Sequence, residues 1–123
     1  MKDYSFAVFS IPFLYPSLNE TKTMNRWEYS RRKKEFATVC AFALNEQNIR
    51  PFHCPVKLTV DLCFKKKRRR DLDNYTIKFL ADALVECGII PDDSTDWMPE
   101  SADIQIFSGE PEEKIDVRIE RIK

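Results

Sequence analysis

"PVKLTVDLCFKKKRRRDLDNYTIKFLADALVECG", residues 55–88, changes its hydrophobic period midway. Val56, Leu58, Val60, Leu62 and Phe64 alternate with Lys57, Thr59, Asp61 and Cys63. A period of two is what a strand with one buried face requires, because successive side chains point to opposite sides. From about Asn74 the period lengthens. Phe79, Leu80, Ala83, Leu84 and Cys87 form a helical stripe, and Gly88 suits the left-handed residue just past a helix end. Between strand and helix lie six consecutive cations, Lys65, Lys66, Lys67, Arg68, Arg69 and Arg70, succeeded by Asp71, Leu72, Asp73 and Asn74.

The segments on either side extend this pattern. Residues 4–11, YSFAVFSI, have strand composition, and Pro12 and Pro16 open a polar loop, PSLNETKTMN. A long helix comes next, from near Asn25 to about Asn48, with Phe36, Val39, Cys40, Ala43 and Leu44 on one face. Its first turns, RWEYSRRKK, are basic and aromatic and stand clear of that face. Residues 103–107 and 115–122 read as two closing strands joined by a polar, hairpin-like loop, SGEPEEK. The expected order is β-α-β-α-β-β. The expected fold class is α+β, a small mixed sheet with helices packed on one face, forming a single domain over residues 1–123.

Composition narrows the chemistry. Two glycines leave no material for a glycine-rich phosphate loop. The apolar runs are too short to span a bilayer, so no membrane partner is expected. The N-terminus carries an acid early and lacks a small-residue cleavage site, so it does not read as a signal peptide. Cys40, Cys54, Cys63 and Cys87 have spacings that match no zinc or redox motif. They read as reduced, partly buried thiols of a cytoplasmic protein. His53 has no catalytic partner in view and reads as a loop or strand-edge residue.

Zero net charge conceals a division. Residues 1–70 hold 15 basic and 6 acidic side chains, whereas residues 71–123 hold 5 and 14. A basic half suits a polyanion, and the acidic remainder limits non-specific adhesion. The same split would also serve self-association of basic half with acidic half.

The run at 65–70 admits a bland reading, a solvated loop, with Asp73 as an ordinary helix cap. It lies between a buried strand and a helix, however, so its like charges are held in place, and a phosphate backbone would relieve their repulsion. Arg31 and Arg32 of the preceding helix could add to such a surface. If the extended register continued past Phe64, Asp71 and Asp73 would project together, roughly 6–7 Å apart. Two carboxylates so placed can converge on Mg2+, which accepts one or two carboxylates, waters and phosphate oxygens. A helix cap accounts for neither Asp71 nor the pair Asp92 and Asp93 beyond the helix.

The pattern "RRRDLDNYTIKFLADAL…GIIPDDS" resembles the signature of the RusA family of Holliday junction resolvases. The likeness extends over nearly the whole chain, and its specific part is 68–94. The resemblance implies a small homodimeric endodeoxyribonuclease of recombination and repair, often carried by prophages. It would use Mg2+, for which Mn2+ can substitute, and no small-molecule cofactor. It would place paired symmetric nicks in a four-way junction. By position, Asp71, Asp73 and Asp93 match the family's metal-binding carboxylates, Arg70 its basic residue before the motif, and Lys78 its essential lysine. In the family the lysine usually lies six residues after the first motif Asp. Here Ile77 holds that place, and both Lys78 and the DAL after it are displaced by one. One extra helical residue rotates the rest of the helix by about 100°. Unless a looser first turn absorbs it, Lys78 faces away from the acids and pairs with Asp82 instead.

Chain length and aromatic content add two expectations. A helix of about 14 residues would be roughly 21 Å long, and residues 88–93 could span at most about 20 Å. Asp93 would then reach Asp71 more easily from a second subunit, as a composite site. Trp27, Tyr29, Tyr75 and Trp97 could stack on unpaired bases. Beside the resolvase stand two other classes: a protein that binds branched nucleic acid without cutting, and a structural dimer of basic and acidic halves.

Overall fold

A computed structural model of the chain describes residues 5–122. Its elements are β1 (Phe6–Ile11), α1 (Leu18–Lys22), α2 (Arg26–Glu46), β2 (Val56–Cys63), a 3-10 turn (Leu72–Asn74), α3 (Lys78–Glu86), β3 (Asp103–Phe107) and β4 (Lys114–Arg121). The mixed α+β architecture agrees with the sequence pattern. Tyr4, placed in the first strand by its composition, lies outside the described residues.

The four strands form one sheet in the order β1-β4-β2-β3, with β2 and β3 parallel and the other pairings antiparallel. Alternation in the strands builds transverse rows on the inner face. Ala7, Ile119 and Leu58 form one row, and Phe9, Val117, Val60 and Ile104 the next. Ile11, Ile115, Leu62 and Ile106 form the third. Helix α2 buries Phe36, Cys40, Ala43 and Leu44 in this core, and α3 buries Phe79, Leu80, Ala83 and Leu84. Phe36 and Phe79 meet edge to face, with centroids 6.3 Å apart, and so lock the two helices together.

Three expectations change. The stretch expected to be a polar loop contains α1, whose start is a capping box. Ser17 Oγ accepts from the Glu20 amide, and Glu20 Oε1 accepts from the Ser17 amide. The last two strands are not a hairpin. β2 lies between β3 and β4, so the 108–113 connection passes over the end of β2, where the Glu110 amide donates to the Phe64 carbonyl at 2.9 Å. The second helix starts later than the expected Asn74. Tyr75 is extended and packs on Phe64, so α3 begins only at Lys78 and has 9 residues. It closes as a Schellman motif: Gly88, at φ 75°, donates to Val85 and Ile89 donates to Leu84.

Cys40, Cys54 and Cys63 are buried and Cys87 is half-buried, and all four are free thiols. Burial pushes the Cys40 thiol up to about 12, which makes it inert near neutral pH. His53 is exposed in the loop before β2. Among the described residues, no helix is long and apolar enough to cross a membrane.

Candidate functional site

The extended register does not survive β2. Lys65–Arg69 are exposed, and the loop folds around Arg70. The Arg70 guanidinium lies 3.8 Å from the Phe64 ring centroid. Its Nη1 donates to the Lys66 carbonyl at 3.0 Å and to Ser108 Oγ at 2.8 Å, with a longer contact of 3.4 Å to the Arg68 carbonyl. Five cations therefore face water while the sixth turns inward and satisfies carbonyls that a tight loop leaves without partners. Ser108, from the loop that crosses β2, is the other half of this anchor.

Asp71 comes next in extended conformation, and Leu72–Asn74 make a single 3-10 turn. One carboxylate thus precedes a tight turn and the other lies within it, instead of both lying along a strand. Both are exposed, and the Arg69 guanidinium approaches Asp71 at 4.0 Å. Asn74 sets the turn against α1: its Oδ1 accepts from the Asn19 amide at 2.9 Å. Nothing in composition announces Asn19, but the D-x-D-N order places Asn74 beside the acids. The serine and glutamate of the capping box were a readable sign of the helix it holds.

Residues 75–77 are not α-helical and α3 begins at Lys78 itself, so the irregular link the shifted lysine would need is present before it. Lys78 Nζ lies 3.1 Å from Asp82 Oδ1, and Lys33 Nζ, from α2, lies 2.7 Å from Asp82 Oδ2. Burial alone would raise the Asp82 carboxyl, but the two ammonium groups hold it below the usual carboxylate range. The hydrogen bond and charge of Asp82 raise Lys78, and Asp93 adds to the effect, so this ammonium stays protonated. The i, i+4 pair with Asp82 is therefore present, and Asp93 also comes within electrostatic reach of Lys78.

That proximity is explained by the length of α3. Nine residues rise only about 13 Å, and the seven residues 87–93 can span more than this. The chain can bring Asp93 back toward the N-terminal end of α3 by itself. The length argument for a composite site therefore loses its premise.

The acids do not close into a single cage. Among the described residues, no three His, Cys, Asp or Glu side chains are grouped closely enough to hold a metal ion. Asp71 and Asp73 meet the one-or-two-carboxylate requirement of Mg2+ by donor type and exposure. A three-carboxylate set is not assembled in this structure.

The other expected contacts separate. Arg31 is exposed and pairs with Glu35 at 2.6 Å, and Arg32 is half-buried. Tyr29 packs edge-on to Phe79 at 5.3 Å, Tyr75 packs on Phe64, and Trp97 is half-buried. Of the four aromatics expected to stack on bases, only Trp27 stands open, at 74% exposure. A hollow of about 620 Å3 lies between the second half of α2 and the residues ending α3, away from the acids.

Compared with known proteins, residues 15–120 match the family model described as Endodeoxyribonuclease RusA. No curated protein matches the chain.

Proposed function

Because the chain belongs to the RusA endodeoxyribonuclease family, we propose that it is a Mg2+-dependent resolvase of four-way DNA junctions, acting as a cytoplasmic homodimer through paired symmetric nicks. The observation that carries this reading is the 65–78 segment. There an anchored cationic loop, a turn with two exposed carboxylates and a charged lysine succeed one another within 14 residues.

Asp71 and Asp73 would hold Mg2+, with Asp93 the further candidate ligand. The bound ion would polarise the scissile phosphate and supply hydroxide near neutral pH. The protein's own groups do the rest. Lys65–Arg69 grip phosphates, and the inward Arg70 keeps their backbone from spreading. Asn74 and Asn19 hold the acid-bearing turn against α1. Lys78, kept cationic by Asp82, offsets negative charge as it builds on the phosphate. A two-fold dimer would present two such sites to a roughly two-fold junction.

One observation favours a second reading, a branched-DNA binder that does not cut: the absence of a three-carboxylate cluster among the described residues. A labelled mobile four-way junction, incubated with and without Mg2+, separates the two. Paired symmetric nicks only with Mg2+ support the resolvase. A salt-sensitive complex without product supports the binder. Neither signal would leave the structural dimer.

A further inference from the structure

Helix α2 has an outer stripe that neither the core nor the acid site uses. Trp27, Arg31 and Lys34 succeed one another at helical spacing, so their side chains share one face. With Ser30 they line a hollow of about 260 Å3. That is smaller than the roughly 300–1,000 Å3 typical of drug-sized ligands, and it suits a single ring better than a large molecule. Its walls combine an indole with two cations. Among the described residues Arg31 makes an exposed i, i+4 pair with Glu35, a weak kind of pair, so it can exchange that partner for a phosphate.

Position distinguishes this hollow from a scattered surface aromatic. Phe42 is just as exposed, at 73%, but it lies 15 residues further along α2, about 22 Å up the helix. Trp27 is two residues from Tyr29, which rests on Phe79, the neighbour of Lys78. Lys33, one turn on, reaches Asp82, the partner of Lys78. Trp27 therefore lies near the end of α2 that borders the first turn of α3, but its indole is on the outer face of the helix, since Tyr29 and Lys33 point the other way.

We propose that Trp27 is a stacking platform for an unpaired nucleobase, with Arg31 and Lys34 holding the adjoining phosphate. This rests on the junction-nuclease reading and gives the protein a way to sense unpaired bases, through the π face that every base offers. Fully paired duplex would engage the loop cations and leave the platform empty.

The chain has two tryptophans, so Trp97→Phe leaves Trp27 as the sole reporter. This protein is titrated with an oligothymidylate, a four-way junction and a blunt duplex, with binding tracked separately by the anisotropy of labelled DNA. The proposal expects Trp27 emission to be quenched by the first two and little changed by saturating duplex. Trp27→Ala should weaken oligothymidylate and junction binding about tenfold to a hundredfold, with duplex affinity unchanged and Trp27→Phe in between. Unchanged emission at saturation overturns the proposal. So does failure to bind oligothymidylate, or an equal loss for duplex and junction in Trp27→Ala. Mg2+-dependent nicking is scored in parallel. Nicking without quenching sinks the platform alone, and quenching without nicking sinks the nuclease reading and keeps the platform.

Discussion

Replacing Arg70 with Ala should loosen the cationic loop, and the size of the effect can be worked from its contacts. The guanidinium over Phe64 contributes about 0.5–1 kcal/mol at a partly exposed site. The two good hydrogen bonds, at 3.0 and 2.8 Å, contribute about 0.5–1.5 kcal/mol each after exchange with water. The 3.4 Å contact is too long to count fully. Against these stands repulsion from five neighbouring cations. At about 8 Å in water each pair costs roughly 0.5 kcal/mol before salt screens it, and about 0.2 after, so removing Arg70 recovers about 1 kcal/mol. The buried Nε without a partner reduces the benefit of Arg70 further. The net loss is then about 1–2 kcal/mol, or roughly 3–8 °C in melting temperature for a chain of this size. The loop should open more than the fold does. Limited trypsin digestion at Lys65–Arg69 should accelerate in Arg70→Ala well before global unfolding, with a parallel loss of junction affinity. Arg70→Lys separates shape from charge, because an ammonium keeps the charge but loses the planar fork. Should Arg70→Lys match the native protein in both melting and trypsin protection, or Arg70→Ala show no added cleavage, the anchoring role is wrong.

Asp71→Asn and Asp73→Asn should each abolish nicking while keeping or tightening junction binding, since repulsion of phosphate falls. Loss of binding in a gel shift would instead make these acids structural. In mixtures of Asp71→Asn and Asp93→Asn subunits, the short α3 favours sites built within one chain, so heterodimers should stay inactive; recovered nicking would establish a composite site. For Asp82→Asn, the folded-state carboxyl lies below 3.8 and Lys78 above 10.5. The stabilisation lost in this variant should therefore be full between these values. It should vanish as pH falls through the lowered Asp82 pKa, and fade as pH rises through the raised Lys78 pKa. A stability difference that stays constant in urea melts down to pH 2 would show that Asp82 contributes through packing alone.

Much of the fold was legible because the strands bury one face each. A register error would turn Val56, Leu58, Val60 and Leu62 out into water, so alternation alone fixed β2 and its inner face. Other features depended on contacts distant in sequence. The place of β4 between β1 and β2 is set by pairing across more than 50 residues, and a polar loop with the composition of 108–114 gives no sign that it crosses a strand. The expected start near Asn74 overstated the helix, whose apolar stripe begins only at Phe79, because Tyr75 packs on Phe64 from an extended backbone. The acids were legible as a motif, but their geometry was not. No period foretells that Arg70 turns back onto its own loop and so ends the extended register before Asp71.

The resemblance would place the lysine at 77, and the backbone around Lys78 bears on how such a one-residue change could be contained. Lys78 and Asp82 keep an i, i+4 relation within α3, and residues 75–77 before the helix are irregular, so a residue added there would leave that relation unchanged. Inserted within α3, it would have turned Phe79, Leu80, Ala83 and Leu84 off the core, at a cost of several kcal/mol of burial. Placed before the helix, it leaves the buried stripe intact and moves only the link that carries Tyr75. Asp82 then decides what Lys78 can do. Asp82 is shared with Lys33 from α2, so the lysine is tied to the α2–α3 packing and not to the loop that carries the acids. In the charge-stabilising role proposed for Lys78, this tie would hold the ammonium to α2 independently of the cationic loop.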